Sequence, residues 1–263
     1  MIDVHCHLLP AFDDGARSLE TADAMVRLAV EDGITHIVCT PHLRDDFPGR
    51  MPFAAAPVRG ALQGRIRRAG LPLELVEGAE VGISSVPLLD HAELRAAAIG
   101  GPGEDGATRY VLVETPYYGW PPNMEQVLFD MRVRGLWTVL AHPERNEEVQ
   151  DRPERVGALV EAGALVQITA ASITGRFGPE ARRCALRLWR QGWAHVIATD
   201  AHSARGRPPL LRPAVEELKR RFPGGVDPDW AVTDGPAAIL TGTPTEPPVS
   251  APRGRLARVL RRS

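Results

Sequence analysis

Seven short apolar, β-branched runs punctuate the chain: MIDVH ending at His5, ITHIVCT at Thr40, LELVEGAE at Glu80, YVLVE at Glu114, WTVLAH at His142, ALVQIT at Thr169 and HVIAT at Thr199. Their ends fall about thirty residues apart, the length of one strand plus one helix. Helical stripes fill the gaps. Ala22, Met25, Val26 and Ala29 share one face that stops at Gly33. Asn123 with Gln126 reads as a capping box leading to a stop at Gly135, and Asp151 with Glu154 as a second, ending at Gly163. Pro179 opens a helix carrying Ala181, Ala185, Leu188 and Trp189, which Gly192 ends. Seven strands alternating with helices predict an α/β protein with a parallel sheet. Continuously apolar strands are buried on both faces, which fits a closed, TIM-barrel-like sheet of seven units, a distorted (β/α)7 barrel. An open doubly wound sheet is the alternative.

Composition narrows the picture. The 263 residues are 44% hydrophobic, enough for a substantial core. A formal charge of -2 leaves no electrostatic footprint for nucleic acid. With neither a long apolar run nor a basic, apolar leader, the expectation is a cytoplasmic protein without a membrane span. Cys6, Cys39 and Cys184 are too widely spaced for a thiolate zinc site or a disulfide framework. One domain is expected over 1–243, followed by a Pro- and Arg-rich, disordered tail over 244–263.

The chemistry lies where the runs end. Alternate residues of a strand share a face, so His5 and His7 point together and could grip one ion. Alone, His-x-His is a weak signal. But catalytic groups of such barrels stand at the C-terminal strand ends, and the other ends carry the same residue types. Asp14 follows the first strand, His42 the second, Glu80 the third, Glu114 the fourth and His142 the fifth, while Asp200 and His202 follow the seventh. Ordinary loops favour Gly, Asn, Ser and Pro instead. His36, His91 and His195 lie elsewhere and read as ordinary core or surface residues. Imidazole mixed with carboxylate suits Mn, Fe or Zn. The set exceeds what one ion needs, so two or three divalent ions are expected, one carboxylate bridging. Four carboxylates against three divalent cations leave a site that attracts anions, phosphate esters foremost. Arg145 in HPER and Arg207 in SARGRPP could each grip phosphoryl oxygens bidentately.

This arrangement resembles the PHP (polymerase and histidinol phosphatase) superfamily. Within it, HLLPAFDDGA, CTPH, GAEV, AHPER, QITAASITGRFG and TDAHSARGRPP look like the bacterial protein-tyrosine phosphatases of capsule and exopolysaccharide loci. The resemblance implies a trinuclear site, often loaded with manganese. His5, His7, Glu80 and Asp200 would hold one ion. Glu80 would bridge to a second, held also by Glu114 and His142. Asp14, His42 and His202 would hold the third, and Arg145 and Arg207 would take the phosphate-binding places. The implied substrate is phosphotyrosine on a membrane-associated tyrosine kinase controlling polysaccharide export. AFDDG and DGPAAIL depart from the usual family forms, with Asp14 itself present in the first.

The loop TPYYGWPP rises from Glu114, so Tyr117, Tyr118 and Trp120 are expected to wall the substrate cleft. Rival readings are a small-molecule phosphatase acting on compounds such as histidinol phosphate, a PHP-type exonuclease, and a regulatory protein that binds phosphotyrosine without turnover. Cys184 and Arg190 fit the spacing of thiol-dependent phosphatases, but the intervening ALRLW has no glycine loop to cradle phosphate.

Overall fold

A computed structural model describes residues 1–44, 52–104 and 107–243. The Pro- and Arg-rich tail over 244–263 lies outside the described residues. Among the described residues, nine parallel strands form in or just after the seven apolar runs: β1 (Ile2–Cys6), β2 (His36–Cys39), β3 (His42–Leu43), β4 (Glu74–Glu77), β5 (Glu80–Gly82), β6 (Arg109–Glu114), β7 (Leu136–Ala141), β8 (Leu165–Thr169) and β9 (Val196–Ala198). The second and third runs each split. One breaks at Thr40–Pro41, because proline has no amide hydrogen for the ladder. The other breaks at Gly78, where a Cβ would meet Val38 Cγ1 at 2.7 Å.

The strands pair as β1-β2-β4 and as β3-β5-β6-β7-β8-β9. The two sheets adjoin at both ends. Glu80 N donates to Pro41 O at 3.1 Å across the paired breaks. On the far side, Asp200 N donates to His5 O at 2.8 Å and His7 N to Ala201 O at 2.9 Å. A small core cluster draws on every run: Val4, Val38, Leu112, Val139, Leu165 and Val196 are all buried in it, with Val76 at its margin and Ile239 from the last helix beneath. Each such side chain taken from water contributes about 1.5–3 kcal/mol. A larger cluster lies between the strands and the surrounding helices.

Helix Leu19–Asp32 buries the predicted Ala22, Met25, Val26 and Ala29 and ends at Gly33 in the left-handed region. Helix Gly178–Gln191 likewise buries Ala181, Ala185, Leu188 and Trp189. The two capping boxes do not form. Asn123 precedes helix Met124–Val133 without a side-chain cap, and Gln126 instead donates to Asp130. Asp151 ends a short helix, Glu147–Asp151, that Asn146 caps by accepting from Val149 N, and Pro153 starts the next one. Among the described residues no helix is long and apolar enough to cross a membrane.

Candidate metal centre

Parallel pairing brings the C-terminal ends of all strands to one rim. His5 is the penultimate residue of β1 and His7 directly follows that strand, His42 opens β3, Glu80 opens β5 and Glu114 closes β6; His142 directly follows β7, and Asp200 and His202 lie just past β9. The backbone bends to present two of them. His142 and Asp200 adopt positive φ of 32° and 49°. Non-glycine residues held there cost about 1–3 kcal/mol each, a strain that concentrates at functional sites. After β1, the loop with Asp13 and Asp14 folds back onto His7. Only glycine fits at position 15, because a Cβ there would lie 2.2 Å from His7 O.

Four ligand atoms converge at the floor of the rim. His5 Nε2 lies 3.2 Å from His7 Nε2, 3.3 Å from Glu80 Oε2 and 3.4 Å from Asp200 Oδ1. His7 Nε2 lies 3.2 Å from Glu80 Oε2 and 3.4 Å from Asp200 Oδ1. Separations of 3.2–3.4 Å are those of neighbouring ligands about 2.0–2.1 Å from a shared ion, and His5, His7 and Asp200 form one such grouping. The donor set therefore fits one first-row divalent ion.

The remaining candidates surround this cluster. His142 Nε2 stands 2.9 Å from Glu80 Oε1. His42 Nδ1 stands 3.0 Å from Glu80 Oε2 and 3.8 Å from Glu114 Oε2. Asp14 Oδ1 lies 3.4 Å from both His42 Nε2 and His202 Nε2. Four groupings with metal-ligating spacing result: His5, His7 and Asp200; His5, Glu80 and His142; His42, Glu80 and Glu114; and His7, Asp14, His42 and His202. All candidate ligands read from the sequence thus meet in one place. Glu80 belongs to two groupings, as do His5, His7 and His42.

Supporting side chains set the tautomers. His5 Nδ1 donates to Gln167 Oε1 at 3.0 Å, His7 Nδ1 to Asp13 Oδ2 at 2.7 Å and His202 Nδ1 to Asp200 O at 3.0 Å. Each bond fixes the proton on Nδ1 and leaves the Nε2 lone pair aimed at the centre, the usual support of metal-binding histidines. Sequence reasoning passed over Asp13, which DDG does not distinguish from Asp14. It also passed over Gln167, whose signal was a lone polar residue inside ALVQIT.

The electrostatics match. Burial opposes ionisation of Glu80 and Asp200, yet the neighbouring imidazoles outweigh it and hold both carboxyls well below the usual range. Conversely, burial disfavours imidazolium at His5 and His7, but Glu80 and Asp200 at His5, and Asp13, Asp200 and Glu80 at His7, raise both. His42 is raised to about 9 against its burial, by Asp14 and Glu80. Ionised carboxylates in a buried site that favours cationic partners are what a divalent ion requires.

Both candidate arginines reach the centre. Arg145 Nη1 donates to Asp200 Oδ2 at 2.5 Å, and Arg207 Nη2 donates to the same oxygen. The Arg145 guanidinium lies between two rings, 4.8 Å from the Tyr117 centroid and 4.5 Å from that of Phe177; Arg207 lies 5.5 Å from Phe177. Glu144 turns away from Arg145 and accepts from Thr169 N at 2.9 Å and Ser172 Oγ at 2.7 Å. Tyr117 also stacks on His142 at 6.1 Å. The other two aromatics of that loop stand apart: Tyr118 is exposed, and Trp120 packs against the core beside Arg155. Cys184 is buried in helix Gly178–Gln191, its Sγ donates to Val149 O, and burial pushes its thiol up to about 12. A thiolate nucleophile is therefore not available there.

Comparison with known proteins places this geometry in context. The family model described as "Capsular polysaccharide synthesis, CpsB/CapC" matches residues 1–239. The chain is 33% identical over 240 residues to the tyrosine-protein phosphatase YwqE of Bacillus subtilis, covering 91% of each chain. It is 23% identical over 247 residues to the tyrosine-protein phosphatase CpsB of Streptococcus pneumoniae, covering 91% of this chain and 98% of that one. Among solved structures, one from work on YwqE and CpsB as metal-dependent tyrosine phosphatases superposes with a TM-score of 0.82 at 31% identity, over 94% of this chain and 96% of the other.

Proposed function

The chain belongs to the capsular polysaccharide synthesis CpsB/CapC family, and from that premise we infer that it is a metal-dependent protein-tyrosine phosphatase, a phosphoric monoester hydrolase. The observation that carries this reading is the convergence of His5 Nε2, His7 Nε2, Glu80 Oε2 and Asp200 Oδ1 at 3.2–3.4 Å.

The ring of strand pairings, with hydrogen bonds from His7 and Asp200 joining its ends, supports a distorted (β/α)7 barrel whose catalytic unit spans 1–243. His5, His7, Glu80 and Asp200 would hold one ion. Glu80 would share a second with Glu114 and His142, and Asp14, His42 and His202 would hold a third. Two or three ions fit the groupings, with manganese the foremost candidate and Fe or Zn as alternatives. When bound, such ions supply Lewis acidity and acidify water. The chain's own groups do the rest. Arg145 and Arg207 orient the phosphoryl group and meet the charge that spreads over its oxygens. Tyr117 packs on Arg145 and His142, fixing both. A phenol leaving group, with pKa about 10, asks less of a proton donor than an alkoxide does. We assign phosphotyrosine on a membrane-associated tyrosine kinase of polysaccharide export as the physiological substrate, met in the cytoplasm.

Protein reconstituted with Mn, Fe or Zn, assayed on a phosphotyrosyl peptide and on histidinol phosphate, tests the reading. Preference for the peptide is expected. Preference for histidinol phosphate would move the protein to the small-molecule phosphatases, and binding of the peptide without turnover to the regulators.

A further inference from the structure

Beside the metal centre opens a cleft of about 500 Å³ whose inner end is Glu114. Its base is the β5–β6 pair, where Gly82 stands opposite Glu114 and Ile83 N donates to Glu114 O at 3.0 Å. One wall is the turn after β5, with Ile83 and Pro87; the other is the loop after β6, with Pro116, Tyr117 and Pro121. Hydrogen bonds hold both walls: in the turn after β5, Ser85 N donates to Gly82 O at 2.9 Å and Leu88 N to Ser85 O at 3.0 Å. Asn146 Nδ2 donates to Pro116 O at 2.6 Å and Gly119 O at 2.8 Å, while Glu147 N donates to Tyr117 O at 3.1 Å.

The rim is unusually apolar for a water-facing surface. Leu88, next to Pro87, is 74% exposed, and Tyr118, next to Tyr117, is 73% exposed. Leu88 and Tyr118 are thus exposed apolar neighbours in sequence of two lining residues, and exposed apolar surface marks binding sites. Charge enters only at the inner end, where Arg44 donates to Glu114 Oε2 at 2.7 Å. Ser84, Thr115 and Asn123 add uncharged polar groups to the lining, yet a cationic small phosphate would find few partners along these walls. A polypeptide with apolar side chains would find many, and the volume is that of a few residues rather than of one aryl ring.

Resting on the phosphatase reading, we propose that this cleft is the docking groove for the protein substrate: it takes the residues flanking the phosphotyrosine, with aliphatic or proline side chains against Ile83, Pro87 and Pro116. The groove sets peptide choice, and the metal rim does the chemistry. Because the walls are preformed, docking costs little ordering of the enzyme.

Steady-state kinetics on the metal-loaded protein decide this, using p-nitrophenyl phosphate, a phosphotyrosyl peptide with Leu and Pro flanks, and the same peptide with Ser and Gly flanks. Pro87→Glu changes an exposed position, and Ile83→Ser serves as a second variant whose fold is checked by thermal melting. The wild type should prefer the apolar-flanked peptide. Each variant should lower its kcat/KM roughly tenfold, the usual cost of spoiling an apolar subsite, through KM, while turnover of p-nitrophenyl phosphate stays within about twofold. Equal rates on the two peptides, or an equal fall on peptide and p-nitrophenyl phosphate, would overturn the groove while leaving the phosphatase reading intact. A wild type that hydrolyses none of the three would overturn both.

Discussion

The two halves of the metal centre are built differently. On the inner side, Glu80 and Asp200 are 0% and 2% exposed, and His5 and His7 carry dedicated partners in Gln167 and Asp13. On the outer side, Asp14 is 47% exposed and spans His42 and His202, both at 3.4 Å. The inner donors are buried, whereas of the outer ones Asp14 and His202 sit on loops and His42 opens β3. Burial strengthens electrostatics and fixes geometry. On the proposed reading, the inner side would hold its ion more firmly, and the outer side would hold an exchangeable one that substrate can approach.

The largest effect should follow Glu80→Gln. Glu80 touches His5, His7, His42 and His142, and a neutral amide bridges two cations poorly. Turnover should fall more than about a thousandfold, beyond what a single lost donor costs, and metal content should drop on both sides. If elemental analysis of the variant matched wild type, the bridging role would be wrong.

Next come the arginines. Arg145→Ala or Arg207→Ala should cost about 2–4 kcal/mol, roughly 30- to 1,000-fold in rate, with metal content unchanged. Lysine should rescue little, because a point charge cannot reproduce the planar fork and would lose the stacking on Tyr117 and Phe177. Comparing kcat, melting temperature and bound metal across Arg145→Ala and Arg145→Lys checks this; near-wild-type kcat in the alanine variant would remove Arg145 from phosphate binding.

A smaller effect separates the two sides. Asp13→Asn weakens the support of His7, and such changes typically cost 10- to 100-fold in metal affinity. Asp14→Asn should instead release only the outer ion. Titration with a chelator, following metal per chain, should show one loss spread over both sides for Asp13→Asn and a single early loss for Asp14→Asn. Identical release curves would make the two sides equivalent.

The smallest effect is expected from Cys184→Ser. The thiol is buried and held near 12, so turnover should stay within about twofold of wild type, as for substitutions away from the chemistry. Loss of activity in a folded, metal-loaded variant would revive the thiol mechanism.

The asymmetry also explains what could be read from the chain. His5, Glu80, Glu114 and His142 were legible because a charged or imidazole side chain ending an apolar run contradicts ordinary loop composition. Their convergence follows from parallel pairing, which the repeat of strand and helix already dictated. The supporting groups were not legible. Asp13 differs from Asp14 only in which way one residue of a turn points. Phe177 in GRFG looks like any loop aromatic, although the turn before helix Gly178–Gln191 brings it within 4.5 Å and 5.5 Å of the Arg145 and Arg207 guanidiniums. Helix caps failed for a similar reason: Asn146 competes for the start of the 147–151 helix, and nothing local to Asp151 records that. The split at Gly78 goes with the close approach of Val38, which lies far away in sequence.

The most direct test follows hydrolysis of a phosphotyrosyl peptide by the wild-type protein while metal is withdrawn with a chelator and then restored, counting ions per chain at each step. Activity should fall to background as the last ions leave and return when Mn, Fe or Zn is added. Turnover that survives exhaustive removal of metal would contradict a metal-dependent phosphatase built on His5, His7, Glu80 and Asp200.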